Sequence, residues 1–122
     1  MPFNVVCLSS DGGDMERLLM LDLVAWKNNP DKKPLVVQGV RQCGKTFLIE
    51  EFASRYYPDV AYYSFDKDSG IKKFFEQDLD PERIIKDLGL ARGRTIMPGE
   101  TLIVFDEIQE CPNALASLKY FC

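Results

Sequence analysis

The chain has 122 residues, no histidine and a formal net charge of −4. This length is enough for one compact domain and not for two, and the apolar share of 46% and charged share of 28% are typical of a globular protein. The acidic balance without a basic block argues against a nucleic-acid surface, and the most apolar run is too short to span a membrane.

The amino-terminal segment predicts a leader without regular structure. The first 14 residues contain neither Lys nor Arg and no long apolar run, so they do not match a secretory signal. The run "SSDGGD" indicates a loose segment, and Met15 is a candidate for the natural start. We therefore divide the chain into a leader, residues 1–14, and a partial domain, residues 15–122.

The next segments predict a helix, a strand and a second helix. A helix is indicated over Met15–Asn28, where apolar residues recur at i, i+4 and i+7. The breaker "NNPDKKP" separates it from a short apolar strand, Leu35–Gln38. A second helix is predicted over residues 45–57, because four residues share one apolar face, namely Ile49, Phe52, Ala53 and Tyr56.

The middle of the chain predicts a strand, a short helix and a capped helix. The strand is Val60–Phe65, and the short helix follows between residues 71 and 79. In "DPERIIKDLGL", Asp80 is suited to the N-cap, Pro81 to the first position and Gly89 to the end of the helix. We expect Arg92 and Arg94 to lie in a solvated loop, and the aromatic residues, Tyr62 among them, to pack in the core.

The last strand and helix define the fold class. The run "TLIVFDE", Thr101 to Glu107, is apolar on both faces from Leu102 to Phe105, which is typical of a strand inside a parallel sheet. A final helix begins at Pro112. Because strands alternate with helices throughout, we predict an α/β fold with a parallel sheet flanked by helices.

The stretch "GVRQCGKT" matches the phosphate-loop pattern G-x-x-x-x-G-K-[ST] at every fixed position. Gly39 and Gly44 allow backbone N–H groups to converge on phosphate oxygens. Lys45 supplies a charge for the β- and γ-phosphates, and the Thr46 hydroxyl is suited to ligate Mg²⁺. The loop follows an apolar strand and opens a helix, so we predict that ATP is bound by Gly39, Val40, Arg41, Gln42, Cys43, Gly44, Lys45 and Thr46.

Two carboxylates follow the last strand. Asp106 would lie at its carboxyl end, where open α/β sheets bind ligands, and is predicted to hold Mg²⁺ opposite Thr46. Glu107 is predicted to polarise a water for attack on the γ-phosphate, with Lys45 as the second catalytic residue. The plain alternative is a strand that meets a polar turn. No Asn-Lys-x-Asp, the guanine-reading motif of GTPases, is present.

The four cysteines, Cys7, Cys43, Cys111 and Cys122, are scattered, and none are paired at C-x-x-C spacing. A mixed Cys/His metal site is excluded because histidine is absent. Scattered thiols fit a reducing compartment, so we predict a cytoplasmic protein. Cys43 invites a redox role, but a tolerated small residue at an unconstrained loop position is the favoured interpretation.

Three segments together resemble a known family: "WKNNPDKKPLVVQGVRQCGKTFLIEEFA", "YYSFD" and "TLIVFDEIQECPNALASLKYF". They resemble the N-terminal ATPase domain of bacterial and archaeal predicted AAA-type ATPases, over residues 16–121. The resemblance implies a P-loop NTPase fold, ATP and Mg²⁺ as ligands, and the roles given above for the loop and for the Asp106–Glu107 pair.

Members of this family usually continue further, with strands that carry a polar sensor residue and then a C-terminal domain. In the resembled fold the sensor strand lies between the loop strand and the metal strand. That strand would follow Cys122, so we expect Leu35–Gln38 and Leu102–Phe105 to lack the strand between them. Unless they pair directly, their buried N–H and C=O groups would stay unmatched.

Three functions remain open from the sequence. The first is an ATP-binding protein of AAA-type ATPase ancestry, whose intact family chemistry is Mg²⁺-dependent ATP hydrolysis. The second is a truncated, non-catalytic remnant or interaction module that acts only with another chain. The third is a small-molecule P-loop kinase, against which Glu107 counts because such kinases do not need a water-activating carboxylate.

Overall fold

A computed structural model describes residues 3–9, 20–37 and 43–121, with the backbone alone described for residues 43–47 and 69. Four parallel strands form one sheet in the spatial order β2-β1-β4-β3. In chain order, the strands are β1 (Asn4–Leu8), β2 (Leu35–Val37), β3 (Asp59–Ser64) and β4 (Thr101–Asp106). This all-parallel sheet with helical connections confirms the predicted α/β class.

Helices connect the strands and cover both faces of the sheet. The α-helices are α1 (Met20–Asn28), α2 (Cys43–Tyr56), α3 (Pro81–Arg92) and α4 (Pro112–Ser117). Short 3-10 helices span Ser69–Phe75, Ile108–Glu110 and Leu118–Phe121. None of the helices within residues 20–28 and 43–121 is both long and apolar enough to cross a lipid bilayer.

The centre of the sheet contains an element that the sequence did not predict. Asn4–Leu8, expected to lie in a loose leader, form strand β1, and all five residues are buried. Cys7 is in register with Val36 of β2 on one side and with Phe105 of β4 on the other. The predicted gap between the loop strand and the metal strand is therefore filled by β1, which pairs with both.

The residue types of β1 explain why it occupies this position. "NVVCL" alternates Val5 and Cys7 toward one face and Val6 and Leu8 toward the other, and both sets enter a core. A strand that is apolar on both sides is stable only between two other strands and two helical layers. Such a short run has no distinguishing periodicity, which is why the sequence alone did not reveal it.

The two faces of the sheet form separate cores. On the first face, Val6 and Val104 pack with Phe52 of α2 and with α1. On the second face, Phe105 lies among the rings of Tyr63, Phe65 and Phe75, whose centroids are 5.6 to 6.1 Å from its own. Helices α3 and α4 close this second core, which makes the domain a three-layer structure.

Two local predictions in the helices are wrong. Tyr56 is predicted to lie in the buried stripe of the second helix, but it is 41% exposed, and Tyr57 is buried instead.

Gly89 is predicted to end its helix, but it lies inside α3, which ends at Gly93 with φ of 76°. A Cβ at Gly89 would stand 3.2 Å from the carbonyl oxygen of Arg94, so close packing accounts for this glycine. The N-cap at Asp80 is confirmed, since its side chain accepts from the N–H of Glu82.

An ion-pair cluster ties the amino ends of β3 and β4 to α3. Arg92, expected to be solvated, is only 17% exposed and its Nη2 lies 2.5 Å from Oδ2 of Asp59. The Thr101 hydroxyl donates to the same carboxylate at 2.8 Å, and Arg94 lies 3.3 Å from it. The Arg92 hydrogen bond is the main reason that the pKa of Asp59 is lowered to about 2, and the Thr101 hydrogen bond and both arginine charges add to it against the opposing effect of burial.

We predict that Asp59→Asn lowers the free energy of unfolding at pH 7 by about 1.5–3 kcal/mol, the range for hydrogen bonds to a charged group. Because the folded-state pKa lies below the unfolded value, this contribution is complete above pH 4 or so and is lost as the pH falls toward about 2. Urea denaturation between pH 2 and pH 7 would measure the free energy of unfolding of the wild type and of Asp59→Asn, and the difference between them should shrink as the pH falls. The Asp78 carboxylate, which pairs with Arg83 but is 48% exposed, provides a control, since Asp78→Asn should lower the free energy of unfolding at pH 7 by less than Asp59→Asn does. A pH-independent difference would contradict the prediction.

Candidate functional site

The four parallel strands end at one edge of the sheet, and both Asp106 and the last residue of β2, which precedes the phosphate loop, lie at this carboxyl edge. Strand β4 ends in Asp106, which is in register with Ser64 at the end of β3. The buried Ser9 follows β1, and its N–H donates to the carbonyl of Val37, the last residue of β2, at 2.9 Å. Ser9 was not singled out from the sequence, since its place here depends on the unexpected strand β1.

The phosphate loop leads from this edge into α2. Residues 39–42 lie outside the described part of the chain. Helix α2 begins at Cys43, so Cys43, Gly44, Lys45 and Thr46 form its first turn, and residues 38–42 alone join it to β2. The first N–H groups of a helix have no partner within it and carry the positive end of its dipole. The backbone N–H groups of this first turn are therefore chemically suited to accept a phosphate as their hydrogen-bond partner.

Asp106 is half-buried and hydrogen-bonded to a residue of the neighbouring strand. The Tyr62 hydroxyl on β3 donates to Oδ2 of Asp106. Tyr62 was interpreted as a core residue, but it is 48% exposed. Partial burial, then this hydrogen bond, and then the negative charges of Asp106, Glu50 and Glu107 raise the pKa of the Tyr62 phenol well above its usual value.

Glu107 occupies an unusual backbone conformation. Its φ of 55° and ψ of 46° place it in the left-handed region, and no other non-glycine residue in the described ranges has a positive φ. This conformation costs about 1–3 kcal/mol in a residue with a Cβ, and such strain is concentrated at functional sites. Nε2 of Gln109 lies 3.0 Å from Oε2 of Glu107, so the side chain is restrained as well.

The charges at this edge suit a hydrated divalent cation. The negative charges of Asp106, Glu50 and Glu107 all help to raise the pKa of the Tyr62 hydroxyl, so the surroundings of this hydroxyl are negative. Carboxylate oxygens are the protein ligands that Mg²⁺ prefers, in small number and together with phosphates and water. Within residues 3–9, 20–37 and 43–121, no group of three or more acidic or Cys side chains is placed to hold a metal ion.

These observations define the class of protein. A strand leads through a G-x-x-x-x-G-K-[ST] segment into a helix, and a buried parallel strand ends in Asp106 at the same edge. That arrangement is a P-loop NTPase-like fold.

The family follows from comparison with known proteins. A family model described as an AAA domain matches residues 31–122, and the chain belongs to this family. No curated protein and no solved structure matches the chain. Strand β1 and helix α1 precede the matched residues, so the central strand of the sheet comes from outside the segment that the family model describes.

Proposed function

We propose that this chain binds Mg·ATP at the carboxyl edge of its sheet and that Glu107 supports hydrolysis of the bound nucleotide. One observation carries the proposal. In a member of the AAA domain family, β2 and β4 end at the same edge of one parallel sheet. From this edge β2 leads through residues 38–42 to the N–H groups of the first turn of α2, while β4 ends in Asp106. A phosphate chain needs such N–H donors, and its cation needs a carboxylate close by.

Each predicted residue has a role in this proposal. The backbone N–H groups from Gly39 to Thr46 cradle the phosphates, and Lys45 neutralises charge on the β- and γ-phosphates. The hydroxyl of Thr46 and the carboxylate of Asp106 hold Mg²⁺, directly or through water. The cation supplies charge neutralisation of the phosphates when it is bound. Glu107 accepts a hydrogen bond from the attacking water and orients it.

We propose ATP as the ligand of this site and no nucleic acid as a partner. The sequence has a net charge of −4 and no basic block of the kind that nucleic-acid-binding proteins carry. We also propose a cytoplasmic location, because the described thiols, Cys7 and Cys111, are buried and free. Burial raises the pKa of the Cys7 thiol far above its usual value, so this thiol is inert.

Binding of Mg·ATP to the purified chain tests the proposal, with Lys45→Ala as the decisive variant. We expect micromolar binding by calorimetry, weakened about 10- to 100-fold in Lys45→Ala, because a charge-assisted contact to phosphate is lost. Lys86→Ala, which removes an exposed lysine from α3, serves as the matched control and should bind like the wild type.

Two results would refute the proposed function. One is a folded chain, shown by a cooperative thermal transition, that binds no Mg·ATP at high micromolar concentration. The other is binding that is equally strong in Lys45→Ala and in Lys86→Ala, since the nucleotide would then lie away from the phosphate loop.

A further inference from the structure

Tyr62 stands where the edge strand β3 meets the end of β4. Its hydroxyl donates to Oδ2 of Asp106, although the two residues are 44 positions apart in the chain. The parallel register of β3 and β4 brings them together, because Tyr62 is level with Val104 and Ser64 is level with Asp106. The tyrosine side chain thus reaches along the strand direction to the carboxylate that the proposed function assigns to Mg²⁺.

Core packing does not explain the position of this tyrosine. Its side chain lies on the α2 side of the sheet with Val60, and the two are 48% and 39% exposed. It borders an open groove of about 340 Å³, whose lining includes Ala53, Val60 and Val104. A phenylalanine would fill this wall of the groove equally well. The contribution that requires a tyrosine is the hydrogen bond to Asp106.

The hydrogen bond from Tyr62 occupies one of the two carboxylate oxygens of Asp106. A carboxylate has two oxygens and can accept several hydrogen bonds or cation contacts. Because Oδ2 accepts from Tyr62, the χ angles of Asp106 are restrained, and in the proposed site Oδ1 is the oxygen that meets the cation or its water. Partners of this kind fix the orientation of metal-ligating carboxylates, and their removal typically weakens metal affinity 10- to 100-fold.

We propose that Tyr62 is a positioning residue for the divalent cation, and that it acts through Asp106. The inference rests on the proposed function, because it requires Asp106 to meet the cation of a bound nucleotide. It adds a residue of the edge strand β3 to the site, and it assigns Tyr62 an effect on the cation and none on the nucleotide itself.

The experiment separates these two effects with a fluorescent ATP analogue. Nucleotide affinity is measured in EDTA, and the half-saturating Mg²⁺ concentration is then measured at fixed nucleotide. We expect Tyr62→Phe to leave the affinity in EDTA unchanged and to raise the half-saturating Mg²⁺ concentration about tenfold. Tyr56→Phe removes a hydroxyl from another exposed tyrosine, one on α2, and should change neither quantity.

A double-variant cycle tests whether Tyr62 acts through Asp106. Asp106→Asn should by itself raise the half-saturating Mg²⁺ concentration. In that background, the additional change Tyr62→Phe should raise it no further. A full tenfold effect in that background would overturn the inference. Thermal melting of each variant confirms that the fold is retained, as expected for a half-exposed side chain.

The remaining outcomes distinguish this inference from the proposed function. Lys45-dependent nucleotide binding with the same Mg²⁺ requirement in Tyr62→Phe and wild type would overturn the inference alone. A lower half-saturating Mg²⁺ concentration in Tyr62→Phe than in the wild type would also overturn it, because the hydroxyl would then compete with the cation for Asp106. A folded chain that binds no nucleotide would overturn the proposed function and this inference together.

Discussion

Removal of residues 1–9 is expected to abolish cooperative folding of the chain. Strand β1 lies between β2 and β4 and is the neighbour of both, so its loss separates the loop strand from the metal strand. Each buried N–H or C=O group left without a partner costs about 1–3 kcal/mol, and several such groups on β2 and on β4 would lose their partners in β1. A domain of this size has a stability of only about 5–15 kcal/mol. Circular dichroism and thermal denaturation would show a chain without a cooperative transition.

A point variant tests the same strand without shortening the chain. Val6 is fully buried and packs in the α1/α2 core, so Val6→Asp places an unpaired charge there and should unfold the protein. Val60→Asp provides the matched control, because Val60 lies on the edge strand and is 39% exposed. If the chain without residues 1–9 still melts cooperatively, β2 and β4 pair directly and the central role of β1 is wrong.

The second large effect is expected at Glu107. Glu107→Gln should lower the rate of ATP hydrolysis at least 100-fold, because a positioned general base contributes about 10²- to 10⁴-fold to such reactions. Binding of Mg·ATP should be nearly unchanged, since the substitution preserves shape and leaves the phosphate loop and Asp106 intact. Phosphate release under conditions of saturating nucleotide measures the rate, and calorimetry measures the affinity.

Glu110→Gln is the control for this substitution. Glu110 is an exposed carboxylate at the end of the 3-10 helix that follows Glu107, so its loss changes the net charge equally and should leave the rate unaffected. If Glu107→Gln hydrolyses ATP at the wild-type rate, Glu107 has no catalytic role. A wild-type chain that binds Mg·ATP without any turnover would limit the function to nucleotide binding.

Features encoded in consecutive residues could be predicted from the sequence. The phosphate loop is a continuous motif, and β4 was recognised because four successive apolar residues indicate a strand buried on both faces. The cap of α3 was also correct, since an N-cap depends on residues two or three positions apart. These signals are local, and the structure confirms β4 and the cap of α3, while the phosphate-binding role of the loop stays a prediction.

Features that depend on distant pairing were missed. The contact of Tyr62 with Asp106 and the ion pair of Arg92 with Asp59 join residues 44 and 33 positions apart. The first follows from the register of β3 beside β4, and the second from the packing of the end of α3 against the start of β3. Strand β1 was missed because its own residues are ambiguous and only its neighbours make it a strand. Strand order is a property of the assembled sheet, so no local periodicity reports it.

The central position of β1 constrains the order in which the domain can assemble. Asn4 pairs with Leu102, so the ribosome must add all the residues between them before β1 meets its second neighbour. At typical rates of about 5–20 residues per second, this delay lasts on the order of 5–20 seconds on the ribosome. During that time one edge of an apolar strand stays open to other chains. We therefore expect slow, aggregation-prone folding, and a requirement for chaperones that protect an early segment until a late one arrives.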